Sequence, residues 1–246
     1  FHGAHTPVEF KKMVSESNNL KENEGIETQI IYKSDQKNEI NSDLYHGGVV
    51  FPQHASLNAA KYHKALIEKA IKLGVSVISN CEMVDFKKKL DEFSVFTNKG
   101  TLKANNLLVA TNGYTSNVTP WLNKRSIPIG SYVIATEELP INYISSVFPT
   151  NRHITDTCRV VYYFRPSPDR KRIIFGGRVS SREISLSKSA PLLLRDLKRV
   201  FPDLTELKIS HSWMGYVSYT FDHLPHTGSE AVSYTHLRAH ETTDQR

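Results

Sequence analysis

Few residues in this chain have both the type and the spacing to do chemistry. His223 and His226 are three apart, as in some zinc sites. Pro225 intervenes, and no Cys or acidic cluster accompanies the pair, so no metal is predicted. Cys81 and Cys158 lack a C-x-x-C or His context, which argues against a catalytic or redox role. His46 and His54 flank the pair Gly47-Gly48 and have the chemistry of general bases, but no catalytic residue is assigned. Gly47-Gly48 and Gly176-Gly177 are pairs only. No Gly-x-Gly-x-x-Gly links a strand to a helix, so no dinucleotide fingerprint is present. Tyr162, Tyr163 and Tyr216 fall on predicted strands, where aromatics fill a core or line a cavity.

The chain that must position these residues has 246 residues. At about 150 residues per domain, that makes one to two domains. With 39% hydrophobic and 23% charged residues it can bury a core. No apolar run approaches the roughly 18 residues a membrane helix needs, so no membrane span is expected. Two cysteines exclude a disulfide-rich scaffold and make a reduced, cytoplasmic compartment the expectation. The net charge of +6 is mild. Its clusters, Lys87-Lys88-Lys89 and Arg170-Lys171-Arg172, read as solvated hairpin tips, so no nucleic-acid partner is predicted.

Both ends look foreign to a complete gene product. There is no initiator Met. Val232 to Thr242 resembles the in-frame translation of a widely used transposase sequencing adapter. Residues 231–246 are therefore expected to be a non-native tail, set aside as fusion scars are. The expectation is a truncated fragment.

Thr6-Pro7-Val8-Glu9 is a helix start, with a capping residue and a proline at the first position. That helix is predicted to run through Met13, with 14–26 as loop or frayed helix. Gln29 to Tyr32 is a short strand, and Leu44 to Pro52 a glycine turn into another. Ser56 caps a helix over 57–73 with core-facing Ala59, Ala60, His63, Leu66, Ile67, Ala70 and Ile71. Gly74 ends it, and Val75 to Ile78 follows as a strand. Segments 82–86, 93–97 and 102–104 form a small meander with a lysine turn. Leu107 to Ala110 reads as a strand buried on both faces. After Pro120 the texture becomes antiparallel. Strands are predicted at 129–136, 160–165, 172–177 and 207–217, with one helix at 190–201.

Three ordered blocks carry a resemblance. They are Tyr45-His46-Gly47-Gly48 to Phe51, then Leu107 to Tyr114, then Tyr163-Phe164-Arg165-Pro166 through Gly176-Gly177-Arg178 to Thr220-Phe221-Asp222-His223-Leu224-Pro225-His226-Thr227-Gly228. Over about 6–228 the chain resembles the D-amino-acid-oxidase-like FAD-dependent oxidoreductases, in particular the γ-glutamylputrescine oxidoreductase-like branch. The resemblance implies an α/β plus antiparallel β protein with a two-domain flavoprotein fold. An incomplete Rossmann-like FAD domain would be interleaved with an antiparallel-sheet substrate domain. It places 1–50 in the substrate domain, 51–118 in the FAD-binding domain, 119–218 in the substrate domain and 219–230 back in the FAD-binding domain.

By resemblance the cofactor is FAD. Val84 occupies the place where the family backbone meets the adenine, and Ala110, Thr111, Asn112 and Gly113 the strand end near the dinucleotide. Small residues there allow close approach at the carboxyl end of a parallel strand. In the family's amino-acid oxidases an arginine grips the substrate carboxylate where this chain has Val217. That argues for an amine, or for a carboxylate bound elsewhere. Arg165, Arg178 and Tyr216 are the substrate-binding candidates. The implied reaction is oxidation of a C–N bond of a small-molecule amine or amino-acid derivative by hydride transfer to flavin, carried out by the intact parent. Two alternatives remain. One is a same-fold flavin dehydrogenase acting on a hydroxy acid or polyol. The other is a non-catalytic basic binding module. The sequence leaves the oligomeric state, the electron acceptor and the substrate's identity open.

Overall fold

The computed structural model of the chain describes residues 1–178, 183–229 and 235–237. It divides into two compact units, one of Phe1–Ala59 with Ser131–Gly215, the other of Ala60–Gly130 with the described residues from Tyr216 on. In chain order the first stretch carries β1 (His2–Gly3), α1 (Pro7–Asn19), β2 (Gln29–Ile31) and β3 (Gly48–Val50). Then come α2 (Ala59–Lys72), β4 (Met83–Lys89), β5 (Glu92–Thr97), β6 (Gly100–Ala104), β7 (Leu108–Val109) and α3 (Pro120–Asn123). β8 (Ile127–Thr136) crosses the division and is followed by α4 (Ile141–Val147), β9 (Ile154–Asp156), β10 (Tyr162–Pro166), β11 (Ile173–Gly177) and α5 (Leu186–Val200). β12 (Ile209–Tyr219) crosses again, before β13 (Thr227–Ser229) and β14 (Thr235–Leu237). The rest of the adapter-like stretch lies outside the described residues.

The first unit is built on an eight-stranded sheet in the order β12-β8-β11-β10-β9-β1-β3-β2. β10 pairs antiparallel with both β11 and β9, whereas β1 runs parallel to β9. Along β10, Tyr162, Phe164 and Pro166 are buried and Tyr163 and Arg165 half-buried, the alternation a pleated strand imposes. The buried set joins Ile173 and Phe175 of β11 and Leu193, Leu197 and Val200 of α5 in one core. α5 begins four residues before the predicted Ala190 and carries Pro191 in its second turn.

Thr6 accepts a hydrogen bond from the Glu9 amide at 3.1 Å, as the sequence predicts. The helix it caps runs six residues past Met13. Thr6→Ala is expected to lower stability by about 1 kcal/mol, the usual worth of such a cap. Urea denaturation of the pair of proteins measures it.

In the second unit β4, β5 and β6 form the predicted meander. The lysines are not its turn. Lys87, Lys88 and Lys89 lie on β4, Lys88 5.4 Å over the ring of Phe93, and the turn is made by Leu90 at φ 54° with Asp91. Residues 75–78 do not form the predicted strand. An apolar β-branched run needs a neighbouring strand to satisfy its peptides, and none is registered to it among the described residues. The strand predicted over Leu107 to Ala110 is reduced to two residues, with Val109 buried and Leu108 54% exposed. α2 ends at Gly74, φ 88°, as predicted. Its predicted core face is uncovered, however. No residue of α2 is buried, and Leu66 and Ile71 are 48% and 53% exposed. Amphipathic spacing shows which side seeks a partner, not whether one is present. Leu66→Glu is therefore expected to change stability by less than about 0.5 kcal/mol, as an exposed position should, and to raise soluble yield by shrinking an apolar patch. A larger fall in melting temperature would show that the side chain is covered. No helix among the described residues is long and apolar enough to cross a membrane.

Candidate functional site

The second unit places the residues expected to meet a cofactor. Ala110 and Thr111 directly follow β7, whose parallel partner β14 lies within the stretch set aside as a non-native tail. Both are exposed. The next two residues are engaged within the protein. Asn112 sits at φ 48° and accepts the Ser218 amide at 2.8 Å on its side-chain oxygen. Gly113 lies under β12: a Cβ there would stand 2.6 Å from Cβ of Tyr216 and 2.8 Å from its carbonyl carbon. Packing alone accounts for a glycine at 113. Val84 is exposed and falls at a break in the β4–β5 register. Met83 pairs with Thr97 and Asp85 with Phe96, so Val84 has no partner residue on β5. Such a bulge takes one residue out of the ladder and is a common neighbour of sites. Phe86 of β4 packs with Val109 of β7 and Leu122, which ties the bulged strand to the strand end.

These features fit FAD at its adenosine end. The bulge offers the backbone of Val84, and the exposed small residues Ala110 and Thr111 offer close approach. The sequence contains no Gly-x-Gly-x-x-Gly to hold the pyrophosphate at a helix N-terminus.

The first unit holds Arg165 and Arg178, while Tyr216 belongs to the second. Arg165 donates from Nη1 to the Leu57 carbonyl at 3.1 Å and so fastens the segment before α2. Arg178 is exposed just past β11. Tyr216 packs edge-on to Tyr114, ring centroids 5.2 Å apart. Of the β10 tyrosines, Tyr162 belongs to the core, whereas Tyr163 stands on the opposite face. Its ring lies across β11, over Gly176: a Cβ there would be 2.1 Å from the ring. Its hydroxyl bonds to that of Ser131 on β8.

Asp222 and His226 are 2.9 Å apart, and that bond holds the Asp222 carboxyl well below the usual carboxylate range. Asp222 also accepts the Leu224 amide, and Thr220 donates to the Leu224 carbonyl, so the Thr-x-Asp-x-x-Pro spacing builds a turn. A cavity of about 510 Å³ opens beside this turn; of its charged walls, Asp222 bonds to His226 and Arg125 stacks 4.0 Å over Trp121, with Lys124 beside them. Burial, with the Asp156 charge beside it, pushes the Cys158 thiol up to about 12, which leaves it a protonated, unreactive thiol at neutral pH. Sequence reasoning passed over Asp156 itself, a wholly buried carboxylate. Nothing local in the sequence marks it, because β9, the strand it ends, is only three residues long.

The FAD-dependent oxidoreductase family model matches residues 2–243. The chain is 28% identical over 204 residues to the probable oxidoreductase OrdL of Haemophilus influenzae, covering 81% of this chain and 46% of that protein. It is 29% identical over 194 residues to the γ-glutamylputrescine oxidoreductase of Escherichia coli, covering 78% of this chain and 45% of that one. The chain thus spans less than half the length of these curated relatives. Glycine oxidase from Geobacillus kaustophilus superposes with a TM-score of 0.77 over 97% of this chain and 64% of its own, at 16% identity. L-proline dehydrogenase from P. horikoshii gives 0.78 over 96% and 65%, at 17% identity. At such identities the likeness is one of fold, an α/β body joined to an antiparallel sheet, and the sequence match decides the family. With nearly its whole length matched, this chain belongs to the FAD-dependent oxidoreductase family.

Proposed function

We propose that this chain is part of a longer FAD-dependent oxidoreductase that oxidises the C–N bond of an amine or amino-acid derivative. The first unit would be its substrate domain and the second part of its FAD-binding domain. The observation that carries the reading is the face of the first unit's sheet turned away from the α5 core. There β10 presents an aromatic ring, Tyr163, and a guanidinium, Arg165, two residues apart. An aromatic face and an alkyl stem suit the carbon chain of a neutral amine. Val217, where the family's amino-acid oxidases carry a carboxylate-binding arginine, removes the grip a simple α-amino acid would need.

When bound, FAD would supply the hydride acceptor for the substrate's α-carbon. The chain's own residues bind and orient. Val84 would meet the adenine through its backbone, and Ala110 and Thr111 would leave room for the dinucleotide, with Asn112 and Gly113 shaping the turn behind them. Tyr163, Arg165 and Arg178 hold the substrate, and Tyr216 backs the cofactor-side turn through Gly113. Holding the reacting carbon in place is the protein's main share of the rate.

The test is to express the natural full-length gene and assay the purified protein against amines, amino acids, hydroxy acids and polyols. The expected result is a bound flavin and release of ammonia or an amine with an aldehyde or oxo acid. A ketone from a hydroxy acid or polyol, without turnover of amines, would replace the reading with the dehydrogenase alternative. A full-length protein with no flavin would end both.

A further inference from the structure

Asp156 ends β9 and is wholly buried. Its Oδ1 accepts the Cys158 amide at 3.1 Å and the Tyr162 amide at 3.0 Å. Its Oδ2 accepts the Tyr45 hydroxyl at 3.1 Å. The first bond is an Asx turn, a side chain standing in for a backbone turn two residues on. The second takes over from the sheet. β9 and β10 pair Ile154 with Phe164 and Thr155 with Tyr163, and the next rung would set Asp156 opposite Tyr162. At that rung the carboxylate receives the Tyr162 amide, so a side chain closes the hairpin. On its other side β9 is pinned by β1, with Gly3 opposite Asp156 and the Thr157 amide on the Gly3 carbonyl at 3.1 Å. Tyr45 brings in the segment that enters the Gly47-Gly48 turn.

The consequence lies along β10. Side chains alternate with period two, so a slip of one residue exchanges the faces of the whole strand. Tyr163 and Arg165 would enter the core, and Tyr162 and Phe164 would leave it. We propose that Asp156 is a positioning residue that locks the register of β10 against β9, beside the full-length pairing of β10 with β11, and thereby sets how Tyr163 and Arg165 meet the substrate. The substrate half of this rests on the functional reading above. Tyr45, at the far oxygen, supports the carboxylate but does not define the register.

The test uses the full-length enzyme with Asp156→Asn, which keeps the shape but replaces a charged acceptor by a neutral amide and so weakens the bonds from the Cys158 and Tyr162 amides. Two readouts are needed. Hydrogen exchange over residues 153–166 is expected to quicken by about tenfold or more, with the meander at 83–104 unchanged as the internal control. Steady-state kinetics with the amine substrate are expected to show KM raised about tenfold and kcat within about threefold, the split that marks lost binding rather than lost chemistry. Tyr45→Phe is expected to change KM by less than about threefold. Should Asp156→Asn fail to fold, Asp156→Ser takes its place under the same criteria, since it can keep the turn bond but not the Tyr162 bond. A folded variant with unchanged KM overturns the proposal. So does a parallel loss of kcat and bound flavin, which marks general damage. Unaltered enzyme that turns over no amine or amino acid overturns the functional reading and the substrate half with it; the exchange rates then still decide the register lock.

Discussion

Phe164→Ala is expected to destabilise the first unit by about 3–5 kcal/mol, the cost of emptying a buried aromatic site. Phe164 is 1% exposed. Its ring stacks on Phe175 of β11 at 5.4 Å and meets Phe148 and Phe201 edge-on at 6.0 and 5.8 Å. Phe148 closes α4 and Phe201 closes α5. One side chain therefore joins the central hairpin to the ends of two helices. Each aromatic pair adds about 0.5–1.5 kcal/mol beyond its buried area. The whole net stability of a domain is about 5–15 kcal/mol, so the loss takes a large share of it. Urea denaturation followed by tryptophan fluorescence measures the change. A loss under about 1 kcal/mol would mean that the cluster is loosely packed. Phe164→Leu, which restores much of the volume but none of the ring contacts, is expected to fall between the two proteins.

Local signals in the sequence were legible where the neighbours that decide the structure are near in the chain. Thr6 caps α1 because its partner amide is three residues away. Gly74 ends α2 because the strain it relieves is its own. The β10–β11 hairpin follows from two apolar alternations around Pro166 to Asp169. The ordered family blocks were legible for a different reason, since type and order over more than two hundred residues constrain more than any one motif. What failed depended on distant partners. Residues 75–78 have the composition of a strand, but a strand is made by its neighbour. The α2 face has the spacing of a core face, but burial belongs to whatever covers it. α4 is seven residues long, too short for a periodic pattern to show. Asp156 looked like one of 25 acidic residues. Its role appears only when the β9–β10 pairing brings the Tyr162 amide onto its first oxygen. The site was legible as residue types and not as faces. The aromatic candidates Tyr162 and Tyr163 are adjacent in sequence, and only the pleat separates the core ring from the presented one.

Gly176→Ala is expected to cost about 1–3 kcal/mol, the usual price of overpacking, and the reason is a single ring. Tyr163 and Gly176 are directly opposite in the β10–β11 pair. An added Cβ would lie 2.1 and 2.5 Å from two atoms of the Tyr163 ring, closer than any real contact. β8 holds Gly176 from the other side through Val133, so the backbone of β11 cannot simply retreat. The ring must lift, and in lifting it leaves the Ser131 hydroxyl. The fold and the candidate binding face are thus disturbed by the same methyl group. A second substitution separates this cause from a general intolerance of alanine in β11. If the clash is with the ring, Tyr163→Ser in the Gly176→Ala background should recover most of the lost stability, although Tyr163→Ser alone is destabilising. Residues in contact show interaction energies of about 0.5–3 kcal/mol in such cycles, whereas independent sites add. Additive losses would place the strain in the β11 backbone and leave Tyr163 free of it. Recovery would show that Gly176 is small so that Tyr163 can lie flat, presenting its ring and not its edge.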